Sequence, residues 1–131
     1  DAARALTPPG LVESVAAAVR AGHPAVIPVL PVVDTVKEVS PDGTVLGTVD
    51  RSRLRAVQTP QGFRRAVLAA AHAAAADPLT DDAGLVEKHG VPVTCVPGSE
   101  YAMKITRPFD LALAERLLAV GGPDPRGTLP A

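Results

Sequence analysis

The apolar run from Ala25 to Val33 (AVIPVLPVV) limits what this chain can become more than any other stretch. It is far shorter than the roughly 18–20 residues a membrane-spanning helix needs. It also lacks the polar alternation of a strand with one wet face. A strand covered on both faces remains, and that demands helical layers above and below a largely parallel sheet. Pro28 and Pro31 each lack a ladder donor, so an edge or bulged position is expected for it.

The flanking sequence supplies those helices. Residues 8–21 read as a helix, with Pro8 and Pro9 in its first turn, Leu11, Val15, Ala18 and Val19 on one face, and Gly22 at its end. A second helix is expected from Phe63 to about residue 76, carrying Val67, Ala70, Ala71 and Ala74 at helical spacing. Thr80 is the expected N-cap of a third, with Asp81 and Asp82 complementing its dipole and Gly90 closing it. Arg55–Gln58 and Val91–Val96 read as strands. Pro108 opens a last helix through Leu111, Leu113, Ala114, Leu117 and Leu118, which Gly121-Gly122-Pro123 stops. Residues 123–131 are expected to be a disordered tail.

Residues 34–51 have a different texture. Two β-branched segments, Thr35–Val39 and Thr44–Val49, flank Ser40-Pro41-Asp42-Gly43, whose Pro and Gly suit a type I turn. Such a thin, polar hairpin cannot bury a core of its own, so it reads as an arm that packs on something else, such as another subunit.

Charge and cysteine content narrow the function classes. Thirteen Lys and Arg against fourteen Asp and Glu leave a net charge of −1, without the basic footprint of a nucleic-acid or anionic-membrane binder. Arg51, Arg53 and Arg55 alternate along one strand face, a pattern that a solvated surface explains as well. Cys95 has no partner for an internal disulfide and reads as a buried small hydrophobe. A reducing, cytoplasmic setting follows as the expectation. With 131 residues the chain has one domain's worth of sequence; Asp1 stands where an initiator would, and the lone methionine is Met103, which points to processing or to a preceding segment.

The residues left for chemistry sit at expected strand ends, where open α/β sheets gather their ligands. They are Asp1 and Arg4, Thr35, Arg51, Thr59 and Lys104. Each has an ordinary reading: capping for Asp1 and Thr35, a turn carboxylate for the neighbouring Asp50, a solvated cation for Lys104. Converging on one rim, the set suits a phosphate-bearing ligand with a divalent cation. Arg gives bidentate phosphate contacts, Lys a point charge, and Asp a hard oxygen for Mg²⁺. His23, His72 and His89 do not fall at metal-ligand spacings and read as surface or helix-end residues.

These residues lie in motifs that follow one another in a recognisable order. They are Asp1-Ala2-Ala3-Arg4, Asp34-Thr35-Val36-Lys37, Thr48-Val49-Asp50-Arg51, Gln58-Thr59-Pro60-Gln61-Gly62-Phe63, Thr80-Asp81-Asp82-Ala83, and Lys104-Ile105-Thr106-Arg107-Pro108 with Asp110-Leu111. The chain thereby resembles the 2-C-methyl-D-erythritol 4-phosphate cytidylyltransferases. Ala5 stands where the family usually has proline, and the family's Gly-rich CTP loop has no counterpart in residues 1–131.

The resemblance implies a partial Rossmann-like nucleotidyltransferase fold of the α/β class. Residues 1–122 would form its C-terminal, acceptor-binding part, with 34–51 as a dimerisation arm. It places Asp1 near Mg²⁺ and the acceptor, Arg51 and Lys104 on the acceptor phosphate, and Arg4, Thr35, Thr59 and Thr80 around the pocket. It implies CTP and a sugar-alcohol phosphate as substrates, and a homodimer in which each arm completes the partner's site. Ribitol 5-phosphate is the rival acceptor. A non-catalytic dimerisation or binding fragment is the rival class, since this part alone is expected to be inactive.

Overall fold

The computed structural model describes residues 1–75 and 81–122. Helix α1 (Pro9–Arg20) leads into strand β1 (Ala25–Pro31), followed by the hairpin β2 (Val36–Val39) and β3 (Val45–Val49). Strands β4 (Arg55–Val57) and β5 (Gly62–Phe63), helices α2 (Arg65–Ala74) and α3 (Asp82–Lys88), strand β6 (Val93–Pro97) and helix α4 (Pro108–Ala119) complete the order. The class is mixed α/β, as expected. Among the described residues no helix is long and apolar enough to cross a membrane.

β1 lies at the centre of its sheet rather than at an edge. β6 runs parallel to it, pairing Ala25 with Val93 and Val29 with Pro97. The antiparallel β4 and β5 also pair with it, Val29 with Val57 and Ala25 with Phe63. The prolines are tolerated because of where they fall. Pro28 sits opposite the gap between β4 and β5, where its carbonyl accepts the Gln58 N–H at 2.8 Å and no donor is required of it. Pro31 is the strand's last residue.

Alternation along β1 sends side chains into both helical layers. Ala25, Ile27 and Val29 face α2 and α3, packing with Ala71, Ala83, Leu85 and Val86. Phe63 joins both of these groups. Val26 pairs with Gly62 on the other face, under α1. A Cβ at Gly62 would stand 2.6 Å from Val15 Cγ1, so only glycine lets helix and sheet approach this closely.

Several local expectations are corrected. Phe63 is the end of β5, not the start of α2, because its backbone pairs with Ala25 and Arg64 N–H donates to Pro24 O. The N-cap of α3 is Asp81, whose carboxylate accepts the Gly84 N–H at 3.0 Å; Thr80 lies outside the described residues, as does the expected tail. Cys95 is exposed, since β6 has β1 as its one described sheet partner. On α4 the buried side chains are Asp110 and Ala114, whereas Phe109, Leu111, Leu113 and Leu118 are exposed.

The hairpin forms in the expected place, with Val36 opposite Val49 and Gly43 at φ +87° closing the turn. β2 and β3 make a two-stranded sheet separate from the β1 sheet. Val39, Val45 and Leu46 on it are exposed.

Candidate active site

Two ends of the chain meet first. The Ile105 N–H donates to Ala3 O at 2.7 Å, which lays the segment before α4 against the N-terminal loop. Lys104 Nζ then lies 3.5 Å from Asp1 Oδ2. The other carboxylate oxygen, Oδ1, accepts the Ala3 N–H at 3.1 Å and so orients the group. α4 anchors the segment from its far side. Asp110 Oδ2 accepts the N–H groups of Thr106 and Arg107 at 3.2 and 2.9 Å, while Arg107 Nη2 donates to Oδ1 at 2.9 Å. These bonds favour the ionised carboxyl and hold Asp110 far below the usual carboxylate range.

Asp1 and Thr59 line one open cleft of about 430 Å³, with Gln61, Asp81 and Asp82 on its polar side and Phe63 and Leu68 on its apolar side. Thr59 is carried there by the turn between β4 and β5. Gln61 braces the opposite wall: its Nε2 donates to Asp81 Oδ2 at 2.8 Å, and its Oε1 accepts the Ala83 N–H at 3.2 Å. His72 Nε2 is 2.9 Å from Asp82 Oδ1 at the exposed end of α2.

The other expected residues lie elsewhere. Arg4 is a strut beneath the cleft, with Nη1 donating to Ala102 O and Nη2 to Val57 O at 3.3 Å. Its burial lowers the guanidinium's pKa below the ordinary arginine value. Arg51 and Thr35 stand at the root of the arm. Arg51 opens a 3₁₀ turn capped by Asp50, whose carboxylate accepts the Ser52 N–H at 3.0 Å and is held below its usual pKa by that bond. Arg51 Nη1 donates to Val32 O at 3.2 Å and also to Val33 O. Thr35 precedes Val36, whose hairpin partner is Val49, so the register brings Thr35 alongside Asp50. The structure therefore brings Asp1 and Thr59 into one cleft lining with Lys104 paired to Asp1, while Lys104 itself, Arg4, Arg51 and Thr35 lie outside that lining.

Gln58, Gln61 and Asp81 carry much of the site's architecture and were not singled out as site residues by the sequence reading. Both glutamines flank Thr59-Pro60 within one motif, which is the signal that was available. Among the described residues no three His, Cys, Asp or Glu side chains converge into a metal cage. Asp1, Asp81 and Asp82 each put a carboxylate on the cleft, and Asp1 is the one of the three beside a lysine. That fits a Mg²⁺ held mostly by substrate phosphates and water, which takes only one or two protein carboxylates.

The family whose sequences match is described as 2-C-methyl-D-erythritol 4-phosphate cytidylyltransferase, and the match runs over residues 1–120. The chain belongs to this family. A relative of that name from Frankia casuarinae is 67% identical over 119 residues, covering 91% of this chain and 45% of the relative. One from Saccharopolyspora erythraea is 62% identical over 119 residues, covering 91% and 53%. The crystal structure of the Thermus thermophilus cytidylyltransferase superposes with a TM-score of 0.80 at 43% identity, over 89% of this chain and 58% of that one. The chain thus spans about half the length of the curated relatives it matches. For this family member the mixed α/β fold is the one shared with that solved structure over 89% of the chain.

Proposed function

We propose that this chain supplies the acceptor side of a cytidylyltransferase that moves CMP from CTP to 2-C-methyl-D-erythritol 4-phosphate, in non-mevalonate isoprenoid precursor synthesis. The observation that carries the reading is the Asp1–Lys104 pair at 3.5 Å beside a cleft that also takes in Thr59. An oxygen of the acceptor phosphate attacks the α-phosphorus of CTP. One P–O bond forms there, the bond to the β-phosphate bridge breaks, and pyrophosphate leaves. A phosphate monoester is already an anionic nucleophile, so no general base is needed. That accords with histidines whose side chains stay outside the cleft lining.

The barrier is repulsion between two polyanions, and fixed cations relieve it. Lys104 holds the acceptor phosphate near Asp1, and the Thr59 hydroxyl offers a hydrogen bond within the cleft. Asp1 would hold the divalent cation, which when bound supplies charge neutralisation of the CTP phosphates. Arg51 and Thr35 reach a second copy's cleft from the root of the arm. The exposed Val39, Val45 and Leu46 on a hairpin separate from the main sheet support that homodimer. The work is cytoplasmic on this reading.

The test is pyrophosphate release by the full-length polypeptide, with 2-C-methyl-D-erythritol 4-phosphate and ribitol 5-phosphate offered separately. The expected result is release that depends on CTP, on Mg²⁺ and on the first acceptor. Preference for ribitol 5-phosphate, or release independent of acceptor, overturns the assignment.

A further inference from the structure

Gln58 is a buried polar side chain that the chemistry above does not use; it is 4% exposed. Its carboxamide is committed to one loop. Oε1 accepts the Ser99 N–H at 2.9 Å, and Nε2 donates to Ser99 O at 2.8 Å and to Ala102 O at 3.4 Å. One side chain therefore ties both ends of the 3₁₀ turn Glu100–Ala102. Gly98 makes the approach possible. A Cβ there would fall 2.3 Å from Gln58 Oε1 and 3.0 Å from Val29 O.

What this loop delivers is Lys104. Ala102 O is fixed by Gln58 and by Arg4, and Ile105 N–H is fixed on Ala3 O at 2.7 Å. Only Met103 and Lys104 lie between these two anchors. A chain pinned so closely on either side has little freedom in where the lysine's Cα sits, so the anchors decide whether the ammonium reaches Asp1. Gln58 itself does not line the cleft.

We propose that Gln58 is a positioning residue for Lys104, acting through the Ser99–Ala102 loop to set affinity for the acceptor's phosphate. The proposal rests on the reading that Lys104 holds that phosphate. A misplacement of about 1 Å at a charged contact can cost up to about a hundredfold in rate. By contrast, a purely structural role for Gln58 would reduce the folded fraction and leave the two substrates' KM values unchanged.

The test uses the full-length polypeptide in two-substrate kinetics with Gln58→Glu and Gly98→Ala. The first keeps the shape but sets a carboxylate oxygen against two carbonyls; the second pushes the loop off the carboxamide. Each is expected to raise KM for 2-C-methyl-D-erythritol 4-phosphate on the order of tenfold while KM for CTP moves less than about twofold. Combined with Lys104→Ala, either should add less than about twofold, because the group being positioned is already gone. If Lys104→Ala alone leaves acceptor kinetics untouched, the reading of Lys104 fails. If Lys104→Ala acts but the Gln58 and Gly98 variants shift both KM values alike, shift neither, or multiply its loss, the Gln58 proposal fails by itself. Gly98→Ala decides the matter should Gln58→Glu not fold, and failure of both variants to fold marks a structural role and overturns it.

Discussion

Lys104 and Asp1 form an ion pair at 3.5 Å whose members are 53% and 29% exposed at the side chain. A pair so open to water adds little to stability, because solvent screens the attraction and two side chains must be held in place for it. It does place a cation beside a carboxylate that lines the cleft, which is its role on the proposed function. Lys104→Ala is therefore expected to separate activity from stability. Pyrophosphate release by the full-length polypeptide should fall on the order of 10²-fold or more. The urea midpoint should move by the equivalent of less than about 0.5 kcal/mol.

Gly62 makes a complementary prediction about packing. A methyl group there would stand 2.6 Å from Val15 Cγ1 and 3.1 Å from Val19 Cγ2, across the contact between α1 and β5. Gly62→Ala should cost about 1–3 kcal/mol in chemical denaturation through overpacking. Val15→Ala is itself destabilising, yet in the double variant it opens the space the new methyl needs. The double variant should then lose less stability than the sum of the two single losses, and strict additivity would rule the steric explanation out.

The local grammar of the chain was legible where a few neighbouring residues decide the outcome. Pro9 and Gly22 bracket α1, Pro41 and Gly43 fix the hairpin turn, and Gly90 closes α3. Non-local partners decide the rest. Pro28 argued for an edge until the gap between β4 and β5 supplied a place where its missing N–H is not needed. Phe63 kept helical spacing with Val67 while its backbone belonged to β5. Cys95 had the composition of a core position, but burial depends on what covers β6. The site divides in the same way. Asp1, Thr59 and Lys104 carried recognisable chemistry, whereas the motif around Thr59-Pro60 marks Gln58 without disclosing its contacts to Ser99, 41 residues along the chain.

Asp110 links the start of α4 to pH. Its carboxyl is held well below the usual range by the Arg107 side chain first, and then by the N–H groups of Thr106 and Arg107. A folded-state pKa below the unfolded one gives stability that is fully present above the unfolded carboxylate value of about 4 and is lost as pH falls through it toward the folded value. Denaturation midpoints should therefore decline on acidification below about pH 5. Asp110→Asn should lower stability at neutral pH and flatten that decline, since its side chain no longer titrates. An unchanged acid slope in the variant would assign the decline to other carboxyls.

The separation of Arg51 from the cleft leads to a test of the arm. If each arm root serves the partner's site, Arg51→Ala and Lys104→Ala damage different halves of a shared site. Each variant alone should be nearly inactive. Unfolding and refolding the two together produces mixed dimers in which one of two sites combines an intact Lys104 with an intact Arg51. Random pairing makes half the dimers mixed, so about a quarter of wild-type activity should return. A Leu46→Lys change in both chains should abolish that recovery, because it puts a charge on the exposed apolar hairpin surface, where Leu46 is 62% exposed in the single chain. Sedimentation of the Leu46→Lys variant should show a shift toward monomer. Recovery near zero with intact dimers would mean that Arg51 works within its own subunit.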